Sequence, residues 1–222
     1  MINYTERLSL LMEDIVADSS GRTALQIDSL KSRFIAFAAD GRRGGIADFG
    51  GEHVAFVPGS TDRWAASCLV AGNLLLRRLT GEGQELVKVD RRPDHSFFTG
   101  IETLDCAADG SVWVLSAPNS RVSSADLVVD LFSPSGQPQR SISLAAAPTG
   151  YWDTLHITPR WLLVSSFEDT ALLISLADGT VSRVHSDGVT KWGCAFGFSP
   201  DGAELWCVLQ EPLELRRFAL PE

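Results

Sequence analysis

The chain has 222 residues, of which 45% are hydrophobic and 21% charged, with a net charge of −9 and a pI near 4.9. This length and apolar share suit one compact unit with a full core. With a mean hydropathy of +0.06 and no run approaching ~20 apolar residues, the sequence carries no candidate for a helical membrane span. The acidic balance argues against a nucleic-acid partner, because proteins that bind a polyanion concentrate Lys and Arg on one face. Here 16 of the 19 basic residues are arginines, dispersed in pairs such as Arg42-Arg43, Arg77-Arg78 and Arg216-Arg217.

In chain order, residues 3–17 (NYTERLSLLMEDIVA) place Leu8, Leu11, Met12, Ile15 and Val16 at helical spacing, with Asn3 and Glu6 set as a capping box. That pattern predicts a short amphipathic helix. No basic leader precedes an apolar run, so no secretory signal is expected and the cytoplasm is the expected compartment. Residues 22–28 (RTALQID) read as a lone strand. From residue 33 onward helix signals give way to short apolar strands and Gly-rich turns.

Repeats organise this region. The stretch FSPDGAELWCVL (198–209) matches LDCAADGSVWVLSA (104–117) and LHITPRWLLVSS (155–166): strand, tight turn, then a strand opening on Trp206, Trp113 or Trp161. Two of the turns are Asp-Gly, which tolerates the positive φ of a tight hairpin. An amphipathic strand pair follows each copy, as in 126–144, 170–187 and 213–222, and earlier in 73–90. Five units of about four strands therefore start near residues 33, 64, 101, 154 and 193, roughly 40 residues apart, the spacing of propeller blades. A two-sheet sandwich also needs many short strands, but it does not predict matched units. The expected fold is all-β: a single five-bladed β-propeller over 1–222, with a helix at 3–17. Residues 22–28 are expected to pair with the final blade near Leu213–Ala219, because an exposed strand edge invites aggregation.

The Ser-Pro-Asp-Gly turn followed by an aromatic, at 199–206, resembles blades of the β-propeller superfamily, of the WD-repeat-like and Tol-system-like kinds. The resemblance implies a fold and carries no activity. No Trp-Asp pair closes a unit in the WD-repeat manner; Trp152-Asp153 instead begins one.

The loops expected to lead into the innermost strands hold the candidate site. They contribute Arg63 and Trp64, Phe98 and Glu102, Tyr151, Trp152 and Asp153, and Lys191 and Trp192. A Trp beside a charge either plugs the gap between blades or forms a recognition surface, since aromatic rings and guanidinium groups dominate interface energy. Arg63, Trp64, Glu102, Tyr151, Trp152, Asp153, Lys191 and Trp192 are accordingly the expected partner-binding residues, with burial deciding between the two roles.

Catalytic signals are sparse: there is no GxSxG, no HxH or HExxH, and no GxxxxGK. Cys68, Cys106, Cys194 and Cys207 are too far apart for a CxxC metal pair and read as buried thiols. No metal or cofactor is expected. The expected function is non-enzymatic protein binding, with the acidic balance pointing to a basic partner. Its sharpest form is an immunity-type protein that covers the positive active site of a toxin. The alternative is a small-ligand-binding or metal-dependent, lactonase-like hydrolase propeller, with Glu102, Asp153 and Asp105 supplying carboxylates at the channel mouth.

Overall fold

A computed structural model describes residues 15–17, 23–28, 33–38, 40–68, 74–98, 100–116, 127–144, 152–166, 170–185, 194–199, 201–209 and 213–221. Every regular element among them is a strand, and the strands form five antiparallel meanders in chain order. Sheet 1 holds β1 (Ile15–Ala17), β2 (Thr23–Asp28), β3 (Arg33–Phe37) and β4 (Arg43–Asp48). Sheet 2 holds β5 (His53–Phe56), β6 (Arg63–Cys68), β7 (Leu74–Leu79) and β8 (Glu85–Val89). Sheet 3 holds β9 (Ile101–Cys106), β10 (Val112–Ser116), β11 (Val128–Phe132) and β12 (Pro138–Ser143). Sheet 4 holds β13 (Trp152–Ile157), β14 (Trp161–Ser166), β15 (Thr170–Ser175) and β16 (Val181–His185). Sheet 5 has three strands: β17 (Cys194–Phe198), β18 (Glu204–Leu209) and β19 (Glu214–Ala219).

Four of the hairpin turns share one geometry. In the β9–β10 turn Ala107 N–H donates to Ser111 O at 2.9 Å and Gly110 N–H donates to Ala107 O at 2.9 Å. The same pair of bonds recurs in the turns closed by Ala38 and Arg42, Thr80 and Gln84, and Ser133 and Gln137. Gly110 sits at φ +84°, where a Cβ would crowd the backbone. An Asp side chain completes several turns by accepting the N–H two residues on, as Asp109 does from Ser111 at 2.9 Å.

Each apolar layer lies between consecutive sheets. Phe34 of sheet 1 packs with Val54, Ala65 and Leu79 of sheet 2. Trp64, Ala66 and Leu76 of sheet 2 pack with Leu104, Val112, Val114 and Phe132 of sheet 3. Trp113, Leu115 and Val129 of sheet 3 meet Leu155, Leu162, Val164 and Ile174 of sheet 4. Leu163 and Ala171 of sheet 4 meet Phe196, Leu205 and Cys207 of sheet 5. The second strand of each middle sheet thus serves two layers by strand alternation: Val112 and Val114 point back to sheet 2, Trp113 and Leu115 forward to sheet 4. Burying a Leu or Phe contributes about 1.5–3 kcal/mol, so these layers, more than any one sheet, hold the array together.

Three expectations need correction. Residues 15–17 of the expected helix form β1, paired Ile15 to Leu25 and Ala17 to Thr23; β-branched Ile15 and Val16 favour the extended form. The rest of that stretch, 3–14, lies outside the described residues. Residues 23–28 do not close the last sheet, because β2 lies between β1 and β3 and both its edges are used. Local pairing wins because it closes a much shorter loop. The first two units begin earlier than expected, at Ile15 and His53 instead of near 33 and 64, because the four-residue β5 opens sheet 2 and does not finish sheet 1.

The repeated Trp is also reassigned. Hairpin register aligns Trp64, Trp113 and Trp206, opposite Ala55, Asp105 and Gly197; in sheet 4 that position is Leu163, opposite His156. Trp161 falls two residues earlier, because the β13–β14 turn closes more tightly, from Thr158 N–H to Trp161 O at 2.8 Å.

Candidate functional site

A four-stranded meander turns twice at one end, after its first and third strands. Its other end carries the remaining loop and the connector to the next sheet. Arg63 and Trp64 follow the β5–β6 turn, so they begin a second strand at the turn end, whereas Glu102, Trp152 and Asp153 begin first strands at the connector end. The eight expected residues therefore do not form one group. Tyr151, Lys191 and Trp192 lie outside the described residues, as does the side chain of Asp153.

Arg63 is 6% exposed and holds its neighbours together, donating to Phe49 O at 2.9 Å and Thr80 O at 2.9 Å, with its guanidinium over the Phe49 ring. Burial lowers its pKa, partly offset by Asp48 and Asp62. Trp64 is fully buried, and its indole N–H donates to Gly110 O of sheet 3 at 3.1 Å. Trp152 is buried in the layer between sheets 3 and 4. These three side chains fill the joins between sheets and present nothing to solvent.

Glu102 and Asp153 occupy equivalent places. Ser116 pairs with Ile101 and Leu115 with Thr103, so Glu102 is an extra residue at a bulge. Ser166 pairs with Trp152 and Ser165 with Thr154, which makes Asp153 the corresponding extra residue of β13. The same alignment puts Glu52 in this place before β5, where its N–H donates to Ala66 O at 2.7 Å. Bulges re-aim side chains, and here two recur where the first strands of sheets 3 and 4 begin. Asp105 does not join this set. One of its oxygens accepts from Cys106 N–H at 2.8 Å and the other from Ile157 N–H at 2.9 Å, which ties the first strands of sheets 3 and 4 together. Burial, aided by the charge of Asp105, pushes the Cys106 thiol up to about 12, leaving it protonated and inert. Among the described residues no group of three or more His, Cys, Asp and Glu is placed to hold a metal ion.

A short hairpin in the connector between sheets 2 and 3 escaped the sequence reading. Arg92 N–H donates to Ser96 O at 2.8 Å and His95 N–H to Arg92 O at 2.9 Å, the same bonds as the Gly turns, with His95 at φ +66° in the glycine position. His95 is the one non-Gly residue with positive φ among the described residues. Its base is anchored by Arg92, which donates to buried Asp130 at 2.9 Å while Ser141 donates to the other Asp130 oxygen at 2.6 Å. Phe98 plugs the core beside Phe132. The bridged pair at the base of the hairpin shows solvent a guanidinium over a ring, Arg91 on Phe97 at 4.0 Å, with Phe97 46% exposed. The usable signal was RPDHS at 92–96, which keeps the Asp and Ser of AADGS at 107–111 and has His where that turn has Gly.

No known protein family matches the chain, and no curated protein matches it. Solved structures do. One, titled as a complex of KlAtg21 with the coiled-coil of AgAtg16, aligns with a TM-score of 0.65 at 10% identity over 94% of this chain, which spans 66% of that one. A second, Kuenenia stuttgartiensis hydrazine synthase, aligns with a TM-score of 0.55 at 11% identity over 92% of this chain and 75% of the other. At such identity the likeness is one of fold alone.

Proposed function

We propose that the five meanders are blades of a single β-propeller spanning the chain, and that it is a non-enzymatic scaffold that binds a basic protein partner. Apolar layers that, among the described residues, are shared only by consecutive sheets, and first strands that pack side by side from β1 to β5, β9 and β13, support the blade reading.

The partition of charge supports the basic partner. Several arginines link neighbouring elements instead of standing free: Arg78 donates to Pro134 O at 3.1 Å, Arg140 to Leu176 O at 2.6 Å, and Arg92 to Asp130. Aspartates are turned outward on hairpin tips. Asp109, Asp178 and Asp201 accept hydrogen bonds from Ser111, Thr180 and Ser199 respectively, together with the turn N–H groups, which hold all three below the usual carboxylate pKa. A chain of net charge −9 that uses part of its cationic side chains internally and fixes carboxylates on its hairpin tips steers in a cationic partner. An immunity-type role against a basic toxin is the sharpest form of this reading.

The test replaces Asp109, Asp178 and Asp201 together by Asn, which preserves the turn acceptor and removes only charge. A partner captured by the native chain is expected to bind the triple variant at least about tenfold more weakly, with a shallower salt dependence. Equal binding overturns the reading. The equivalent bulges bearing Glu102 and Asp153 favour one second reading, a small-ligand or metal-dependent hydrolase site. Hydrolysis of a lactone or ester panel, lost in Glu102→Gln and Asp153→Asn, would establish it.

A further inference from the structure

Sheets 1 to 4 each carry a fourth strand on the outer edge of the third, whereas sheet 5 stops at β19. Among the described residues no strand pairs with that edge. Its residues are correspondingly bare: Leu215 is 44% and Phe218 40% exposed, while Val129 and Phe132, at the same register positions of sheet 3, are both at 0%. Elsewhere the fourth strand sets an apolar residue beside the third-strand residue that faces the next sheet. Val89 pairs with Leu76, Ile142 with Val129, and Val184 with Ala171. Leu215 is the next member of that column and has no such neighbour among the described residues.

The phase of the repeat names an occupant. Each of β5, β9, β13 and β17 is preceded in the chain by the fourth strand of the sheet before it. The residues before β1 stand in that same phase. Residues 2–12, INYTERLSLLM, also alternate at strand period, with Ile2, Tyr4, Leu8, Leu10 and Met12 on one parity and Asn3, Thr5, Arg7 and Ser9 on the other. Glu6 and Leu11 are the two exceptions.

We propose that residues 2–12 add antiparallel to β19 as the fourth strand of sheet 5, setting a leucine of this segment beside Leu215. The pairing satisfies an edge that would otherwise be a template for aggregation. It rests on the ring reading above, since β1 follows directly and is thereby drawn beside sheet 5.

Hydrogen exchange of the full chain tests it, with β10 amides as the internal control for folding. Outward-facing β19 amides are expected to be protected in the native chain at every protein concentration. Leu8→Pro and Leu10→Pro, which block strand pairing, are expected to accelerate them at least about tenfold with β10 unchanged. If a proline variant also releases β10, Leu10→Glu takes its place; it leaves the backbone able to pair and is expected to give a smaller acceleration at β19 alone. Fast β19 exchange in the native chain overturns the proposal. So does protection untouched by all three variants, or protection lost on dilution, which would assign the edge to a second copy. Hydroxyl-radical labelling of Trp206 reads ring closure separately: a protected β19 with a freely labelled Trp206 retains the strand and removes the ring.

Discussion

Sheets 3 and 5 have the same hairpin plan and similar apolar sequences, yet their third strands live in different environments. Phe132 is sealed, while Phe218 at the matching position is 40% exposed. Phe132 lies on a third strand flanked by β12, whereas Phe218, on the face of sheet 5 that packs on sheet 4 through Leu205, lies on a third strand with no fourth strand beside it among the described residues. In this fold the burial of a residue is decided by what flanks its strand as well as by what stacks on its sheet, and the strand's own pattern sets only which face it uses.

The largest test of that contrast is truncation of the matched phenylalanines. Phe132→Ala is expected to cost about 3–5 kcal/mol in chemical denaturation, and Phe218→Ala less than half as much. Equal losses would mean that the edge of β19 is covered as fully as that of β11. Removing the buried partner of Arg92 by Asp130→Ala is expected to cost about 3–5 kcal/mol, because a desolvated guanidinium is left without its carboxylate. Asp130 and Arg92 replaced together by apolar residues should recover much of that loss.

Smaller effects separate turns at the joins from turns in the open. At Gly136 a Cβ would lie 2.5 Å from Val87 Cγ1 of sheet 2, whereas at Gly41 nothing lies within 4 Å; both have positive φ. Gly41→Ala is expected to cost about 1–2 kcal/mol, the conformational price alone, and Gly136→Ala clearly more, read as melting temperatures. Cys106 should resist alkylation at pH 8 until denaturant is added. Smallest is the acid response. Asp94 and Asp109 are held below the usual carboxylate value by Ser96 and Ser111, so their stabilisation is present above that value and lost as pH falls through their lowered native values. Changing both to Asn should flatten the stability curve below about pH 4.

Much of this was legible in the sequence, for local reasons. Turns such as Asp109-Gly110 and Asp201-Gly202 announce themselves because few residues accept the left-handed conformation, and they set the spacing of the units. The phase slipped by one strand because β5 is four residues long and its His-Val-Ala-Phe reads equally well as the end of one unit or the start of the next. Trp161 was misaligned because a tighter turn shifts the register without altering the apolar pattern. The roles of Arg63, Trp64, Arg78 and Asp130 were not readable, since their partners lie 14 to 56 residues away and in other elements. The hairpin at 91–97 was missed because His95 stands where a glycine would have marked a turn.

Because among the described residues every apolar layer joins only consecutive sheets, the molecule is energetically a row of links, each leaning on its neighbours. A lesion in sheet 3 should therefore loosen sheets 2 and 4 first and reach the other sheets only through them. Such a row can also gain or lose a link over generations without redesign of the rest.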